Sequence, residues 1–569
     1  MSKYINYKLI LILISLPMVL VMVFPSPYFE SWYDYEPDYF ANLLSVLLNN
    51  HPVDYIHPGL TITYLSAILI QIVGFFESQE SLILSLRFFF LFLNLIIIYL
   101  SMSFLNKNNT KQILLFIAIL ILYPAGHYYL DILSPHIILS SLGVLIAILG
   151  IKLNENTIRY PLAYGLVLAL GVATKFPFIL VTIPVIFSIF FGFLKGEKKH
   201  FKVSFLIIMA SFICSSLILF YPILPMMPLY LTMWTDVISF IEPFLGIQEI
   251  YKTSFYFFAL IVLMSFIARK MIIILRKKVN YDYTYESVYK VLSLVCLFYV
   301  FIMPIIDIIS GKSYIEIAKW GGNFLPMLGF LVLFFTHNIS ILKLSVIKNY
   351  IAITLLLVVS LKAYTNFNNY SESIITANNF SSNVQSLLEG DNDIVFYPSS
   401  KFISKEYFFI WSDYRYGDSA STFYDKRKSI PFRIDSKLER MHILNNRNFY
   451  ISDGYFSGKF SFRYMKKIIE SNYTPDLYKS LLSMHLHRLD KKDICTQPYN
   501  GFSAGRNFIV IIPEGLEFRN IGIIKDVSTD AHTIASNLID LWANKCNYKV
   551  DYSVDNFADI KSIFLKVKT

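Results

Sequence analysis

Leu60-Thr61-Ile62-Thr63-Tyr64-Leu65-Ser66-Ala67-Ile68-Leu69-Ile70-Gln71-Ile72-Val73-Gly74-Phe75-Phe76 is the run whose reading decides the topology of this chain. A helix that crosses the hydrocarbon core needs about 20 apolar residues. This run is amphipathic at its start and bracketed by acidic and polar residues. Read as a helix lying in or dipping into the outer leaflet, it makes Pro25 to Ser81 one long external loop without a Lys or Arg. The remaining loops then alternate in charge. Lys3 and Lys8, Lys107 and Lys111, Lys152 and Arg159, the cluster Lys195, Lys198, Lys199 and Lys202, the cluster Arg269 to Lys278, and Lys343 and Lys348 all fall on one side. External turns hold isolated lysines such as Lys175, Lys252, Lys312 and Lys319. That is the positive-inside bias of cytoplasmic loops. Counting Leu60 to Phe76 as a full span would place the Lys198 cluster outside, so that count is rejected.

Composition agrees with a bilayer as the main solvent. Of 569 residues, 55% are hydrophobic and 16% charged, against about a quarter charged in ordinary soluble domains. The apolar runs are 8–24, 82–105, 112–126, 133–151, 160–174, 177–194, 203–221, 253–268, 291–309, 323–336 and 349–364, about eleven transmembrane helices. The first run is long and lacks a small-residue cleavage site after it, so it is expected to be retained. The predicted fold class is thus a polytopic α-helical membrane protein over 1–364, with an external loop at 25–81, followed by a C-terminal extracytoplasmic α/β domain over 365–569. The net charge of +10 is scattered between apolar runs rather than gathered on one face; this argues for topology and against a nucleic-acid partner.

The first external loop carries the chemistry. It reads Ser31-Trp32-Tyr33-Asp34-Tyr35-Glu36-Pro37-Asp38-Tyr39-Phe40-Ala41-Asn42, continues through an amphipathic stretch, and ends His51-Pro52-Val53-Asp54-Tyr55-Ile56-His57-Pro58-Gly59. Pro37 suits the first turn of a helix, where the dipole favours Asp34, Glu36 and Asp38 as caps. Three carboxylates among aromatics beside a membrane, with no cation nearby in sequence, read better as a functional cluster. Cations that could answer them stand at external helix ends. Arg87 lies in Ser85-Leu86-Arg87-Phe88, where it either snorkels to the interface or faces a polar cavity. Lys175 lies in Ala173-Thr174-Lys175-Phe176-Pro177, as a solvated turn residue or a site cation. Asp131, in His127-Tyr128-Tyr129-Leu130-Asp131, closes another external hairpin, as a helix cap or a supporting group.

In this order and topology, the acidic cluster, the amphipathic helix, His57-Pro58-Gly59-Leu60, the arginine opening the next helix, the Pro124 to Asp131 hairpin and the Ala173 to Pro177 turn resemble the C-type membrane glycosyltransferases. That superfamily includes protein O-mannosyltransferases and lipid A aminoarabinose transferases. The resemblance covers roughly residues 1 to 200. It departs at two points: Tyr35 precedes Glu36 where the family commonly has adjacent Asp-Glu, and Gly59 stands where a second proline is frequent.

The resemblance implies a polyprenyl phosphate-linked sugar as donor, membrane lipid around it, and a hydroxyl acceptor on a glycan, lipid or protein. Asp38, Glu36 or Asp34 would be the general base. Arg87 and Lys175 would stabilise the leaving phosphate, with His57 orienting loop or donor and Asp131 in support. One carboxylate and a good leaving group imply direct displacement with inversion. Glu36 and Asp38 are hard oxygen ligands but too few to define a metal site, so no metal is assigned and a divalent cation stays open as a cofactor. The alternative functions are a lipid-sugar transporter or flippase, which would call for repeats and midplane charges, and a non-catalytic membrane scaffold. A bacterial inner membrane is the expected location.

Beyond Tyr364, strand-like runs at Asp393–Tyr397, Asn507–Ile512 and Tyr548–Tyr552 and a helix at Asp530–Lys545 indicate a small α/β unit. Cys495 and Cys546 could pair there if it faces an oxidising compartment.

Overall fold

The computed structural model describes residues 36–49, 59–103 without 78, 110–129, 132–226 without 157 and 195–197, 285–309, scattered positions between 311 and 387, and 393–396, 449–451, 507–514, 531–557 and 560–568. It is mostly helical. The first helix among the described residues, α1, spans Glu36–Asn49 and has Pro37 as its second residue, where the missing N–H costs nothing. Phe40, Leu43 and Leu44 form its buried stripe, at the i, i+3, i+4 spacing of one helix face. It packs against α2, Leu60–Val73.

This second helix is the run on which the topology turns. Its 14 residues make a rod about 21 Å long, short of a hydrocarbon core of roughly 30 Å. Leu60, Thr61, Ile62, Thr63, Ser66, Ala67 and Ile70 are buried, whereas Ile72 and Val73 are exposed. Gly74 ends it with φ +88° and donates its N–H to the Ile70 carbonyl.

Seven helices follow: α3 Gln79–Ser103, α4 Thr110–Leu122, α5 Pro124–Tyr128, α6 His136–Ile151, α7 Arg159–Thr174, α8 Ile183–Leu194 and α9 Lys198–Phe220. Then come α10, Tyr285–Ile309, and the short α11, Leu325–Leu328, which runs on into a 3-10 turn at Gly329–Leu331. Prolines set several boundaries. The apolar run 112–126 is broken at Tyr123 because Pro124 cannot donate an N–H to continue the helix. The run 177–194 begins as a 3-10 segment, Phe176–Thr182, with Pro177 in its first turn and Pro184 just past its end. Among the described residues, Ser81–Met102, Phe201–Leu224 and Tyr285–Ile309 are long and apolar enough to cross a membrane. The runs 8–24 and 253–268 lie outside the described residues, and 349–364 is described only at single helical positions.

Packing explains how these helices share one core. α6 lies against α3, α7 and α11. The α6–α11 contact is backbone on backbone: a Cβ at Gly143 would stand 2.0 Å from the Pro326 carbonyl oxygen, and one at Gly329 would stand 2.1 Å from the Gly143 carbonyl carbon. Small residues permit such approaches between apolar helices. On α9, Ser211 Oγ donates to the Leu162 carbonyl of α7 at 2.7 Å. The opposite face of α9, with Leu206, Ile213 and Leu217, is exposed; an apolar face of this length left uncovered is what a helix bordered by lipid presents.

The C-terminal part contains a five-stranded mixed sheet of order β2-β1-β3-β5-β4. Its strands are β1 Asp393–Phe396, β2 Phe449–Ile451, β3 Phe508–Pro513, β4 Lys549–Phe557 and β5 Ile560–Lys568. β1 pairs in parallel with β2 and β3, while β3, β5 and β4 run antiparallel. The three strand-like runs of the sequence are therefore strands. β3 is buried on both faces. Phe508, Val510 and Ile512 pack with Trp542 and Ala535, and Ile509 and Ile511 join Phe564 in a cluster continuous with the helical core. The expected helix at 530–545 is α12, Ala531–Ile539, which widens into a π-helical turn at Asp540–Lys545; Trp542 in that turn meets the Phe508 ring edge-on at 5.2 Å. Cys546, at the end of this turn, is disulfide-bonded, whereas Cys214 and Cys296 are free thiols. Cys495 lies outside the described residues.

Candidate active site at the helix ends

Three chain segments that are distant in sequence meet where α6 begins and α7 ends. The first is the start of α1 with the residue preceding α2. Gly59 has φ +47°, a left-handed conformation that suits glycine. A Cβ there would lie 2.7 Å from Tyr39 Cε1 and 3.3 Å from Pro135 Cγ. Tyr39 of α1, Gly59 and Pro135 are thus stacked together. Glu36 and Asp38 fall in the first turn of α1, with Asp38 adjacent in sequence to this contact.

The second segment is the hairpin before α6. Ser134 Oγ accepts the His136 backbone N–H at 3.1 Å and lies 3.0 Å from His136 Nδ1. The imidazole stacks on the Tyr129 ring, with centroids 4.1 Å apart, and is 1% exposed. The third segment is the end of α7. Lys175 leaves the helix in an extended conformation, φ −158° and ψ 127°, and its Nζ lies 2.6 Å from His136 Nε2. The carbonyl ends of α7 favour an ammonium at this position. Lys175 is therefore half-buried and bonded to a buried imidazole.

Further bonds tie the segments into one body. Thr61 Oγ1 donates to the Leu170 carbonyl at 3.0 Å, as does Thr174 Oγ1 at 2.7 Å. Leu60 and Ala173 share a small apolar cluster with Ile223. Lys362 Nζ donates to the carbonyls of His127 and Tyr128, the latter at 3.4 Å, so the region near 362 grips the C-terminal end of α5.

Arg87, on α3, is 1% exposed. It is buried in the helical core and does not snorkel to the interface. Seven residues further along α3, Asn94 Oδ1 accepts both Ser140 Oγ and Ser141 N, each at 3.2 Å, which registers α3 against α6. Arg87 lies about 10 Å along α3 from Asn94, and His136 lies about 6 Å along α6 from Ser140.

The chemistry available here is recognition of an anion. Arg87 offers a planar donor fork from within α3, and Lys175 offers a point charge just past the end of α7. Asp34, His57 and Asp131 lie outside the described residues. Among those described, no group of three or more His, Cys, Asp or Glu side chains is placed to hold a metal ion. Sequence reading missed His136, Ser134, Tyr129 and Lys362. The hairpin reading stopped at Asp131, although a His directly after Ser-Pro at the head of an apolar run was a readable signal.

The Gly59 contact gives a first expected outcome. Gly59→Val adds a branched side chain at positive φ, against a ring that leaves no room for a Cβ. The left-handed backbone alone costs about 1–2 kcal/mol. The start of α1 should shift, and limited proteolysis in native membranes should cut between residues 36 and 60 faster than in the wild type. An unchanged cleavage pattern would show that the Tyr39–Gly59–Pro135 stack does not position α1.

No protein-family model and no curated protein matches this chain. Among solved structures, it is similar to the archaeal oligosaccharyltransferase AglB from Archaeoglobus fulgidus, in complex with an inhibitory peptide and a dolichol-phosphate. The TM-score is 0.37 and the identity 13%, over 84% of this chain and 72% of that one.

Proposed function

We propose that this chain is a membrane glycosyltransferase that moves a sugar from a polyprenyl phosphate-linked donor to a hydroxyl acceptor on a protein, lipid or glycan. The observation that carries this reading is the meeting, at one end of the helices, of the first-loop residues Tyr39 and Gly59 with Pro135, His136 and Lys175. A lipid tail can lie along apolar helix faces while its phosphate reaches Arg87 and Lys175. Those cations stabilise the phosphate as the bond to the sugar breaks. A carboxylate at the head of α1, Asp38 before Glu36 or Asp34, takes the proton of the acceptor hydroxyl. A single base and a good leaving group give direct displacement and inversion at the sugar carbon. His57 orients the loop or donor, and Asp131 supports the hairpin. No metal enters the proposed step; a divalent cation, if bound, would sit on Glu36 and Asp38.

The proposed topology has about eleven spans, with the site and residues 365–569 outside a bacterial inner membrane. Lysine and arginine placement supports it, and so does the disulfide at Cys546, since such bonds persist in oxidising compartments. A membrane-impermeant reductant followed by an impermeant thiol reagent should label Cys546 in intact cells. Labelling only after permeabilisation would put the sheet in the cytoplasm.

The direct test supplies membranes containing the chain with radiolabelled polyprenyl phosphate-sugars and follows label into acceptors, with anomeric configuration read by NMR. Transfer above control membranes supports the reading. Movement of intact donor between leaflets without transfer would replace it with a flippase.

A further inference from the structure

We infer that His136 is a positioning residue that holds the Lys175 ammonium in place for an anionic lipid phosphate, an inference that rests on the proposed transfer reaction for the identity of that anion. The hydrogen-bond roles follow from donor and acceptor capacity. A lysine ammonium carries three donors and no acceptor, so in its 2.6 Å contact with Lys175 Nζ the Nε2 atom of His136 accepts. The ring proton then belongs on Nδ1 and is donated to Ser134 Oγ at 3.0 Å. Ser134 Oγ also accepts the His136 N–H, so both of its lone pairs face this ring and its backbone.

The ring is fixed on its other sides too. Tyr129 covers one face, with ring planes 21° apart. Gly322 closes on the edge, where a Cβ would stand 2.8 Å from both His136 Cδ2 and Nε2 and 2.7 Å from Tyr129 Cε2. The nitrogen that takes Lys175 is thus walled by a position that tolerates no side chain. An imidazole 1% exposed, oriented by a serine, a stacked tyrosine and a glycine, leaves Lys175 little choice of direction. A lysine stem is otherwise flexible about four carbons, and a phosphate site gains from donors that need no rearrangement during reaction.

The test uses the full chain in lipid nanodiscs with two readouts. The acylation rate of the Lys175 amine, followed by mass spectrometry, reports the hold on Lys175 directly. Affinity for a polyprenyl monophosphate reports its use. His136→Gln, whose amide oxygen can reach the Nε2 position, should stay within about twofold of wild type in both. His136→Phe retains the stack on Tyr129 without an acceptor; it should speed acylation about fivefold and weaken phosphate affinity about tenfold, the size expected for one charge-assisted hydrogen bond. Should the phenyl ring not fit beside Gly322, His136→Asn, whose shorter side chain reaches Ser134 but not Lys175, should give the same two losses. Wild-type acylation and affinity in the Phe or Asn variant would overturn the inference. If the wild type binds no polyprenyl monophosphate, the transfer reading fails, and acylation alone decides whether His136 holds Lys175.

Discussion

Asp38→Asn, at matched expression, is expected to lower sugar transfer by about a hundredfold to ten-thousandfold, the contribution of a general base. The substitution keeps size and polarity while removing the capacity to accept a proton. Asp38 stands in the first turn of α1, where the helix dipole favours negative charge. Its neighbour Tyr39 is locked against Gly59 and Pro135, so the backbone that carries the carboxylate is anchored to the hairpin leading to His136 and Lys175. Glu36→Gln and Asp34→Asn serve as comparisons, since Glu36 shares that first turn and Asp34 precedes it. A loss confined to one of the three identifies the base. Retention of transfer by all three, with wild-type membranes active, would remove the loop carboxylates from the chemistry.

Arg87→Met should reduce transfer by about a hundredfold to a thousandfold, as loss of a preorganised donor at a site of developing charge does. Arg87→Lys should recover only part of that, because an ammonium is a point charge and cannot reproduce the bidentate fork. Arg87 is 1% exposed, so its removal also tests stability, because a buried arginine stem contributes packing as well as charge. Thermal melting in detergent therefore accompanies the kinetics. A variant that melts like wild type but fails in transfer assigns Arg87 to the donor; one that melts early and, once folded, transfers normally makes it a structural cation.

Parts of this architecture were legible from the sequence because their signals are local. The start of α1 follows from Pro37, and the break before α5 from Pro124, since proline acts on its own backbone. β3 could be read because Phe508 to Ile512 are consecutively apolar and four of them, Ile509, Val510, Ile511 and Ile512, are β-branched. The assembly of the site was not local. Nothing around Arg87 distinguishes a buried guanidinium from one that snorkels; its surroundings are set by Asn94, Ser140 and Ser141 holding α3 to α6. Lys175 read as a solvated turn residue or a site cation, and its partner His136 could not be named because it lies 39 residues away. The grip of Lys362 on His127 spans 235 positions, a distance over which periodicity carries no information.

The contact of Gly143 with the α11 turn has a consequence for how the protein can vary over time. Any side chain at Gly143 meets the Pro326 carbonyl, and any at Gly329 meets the Gly143 backbone. Neither position can accept even alanine unless α6 and the α11 turn separate, and α6 is the helix that opens with His136. The two glycines are therefore expected to be inherited as a pair in descendants that keep this site, and a lineage that lost one would have to rebuild the approach of both elements before the other was free to change.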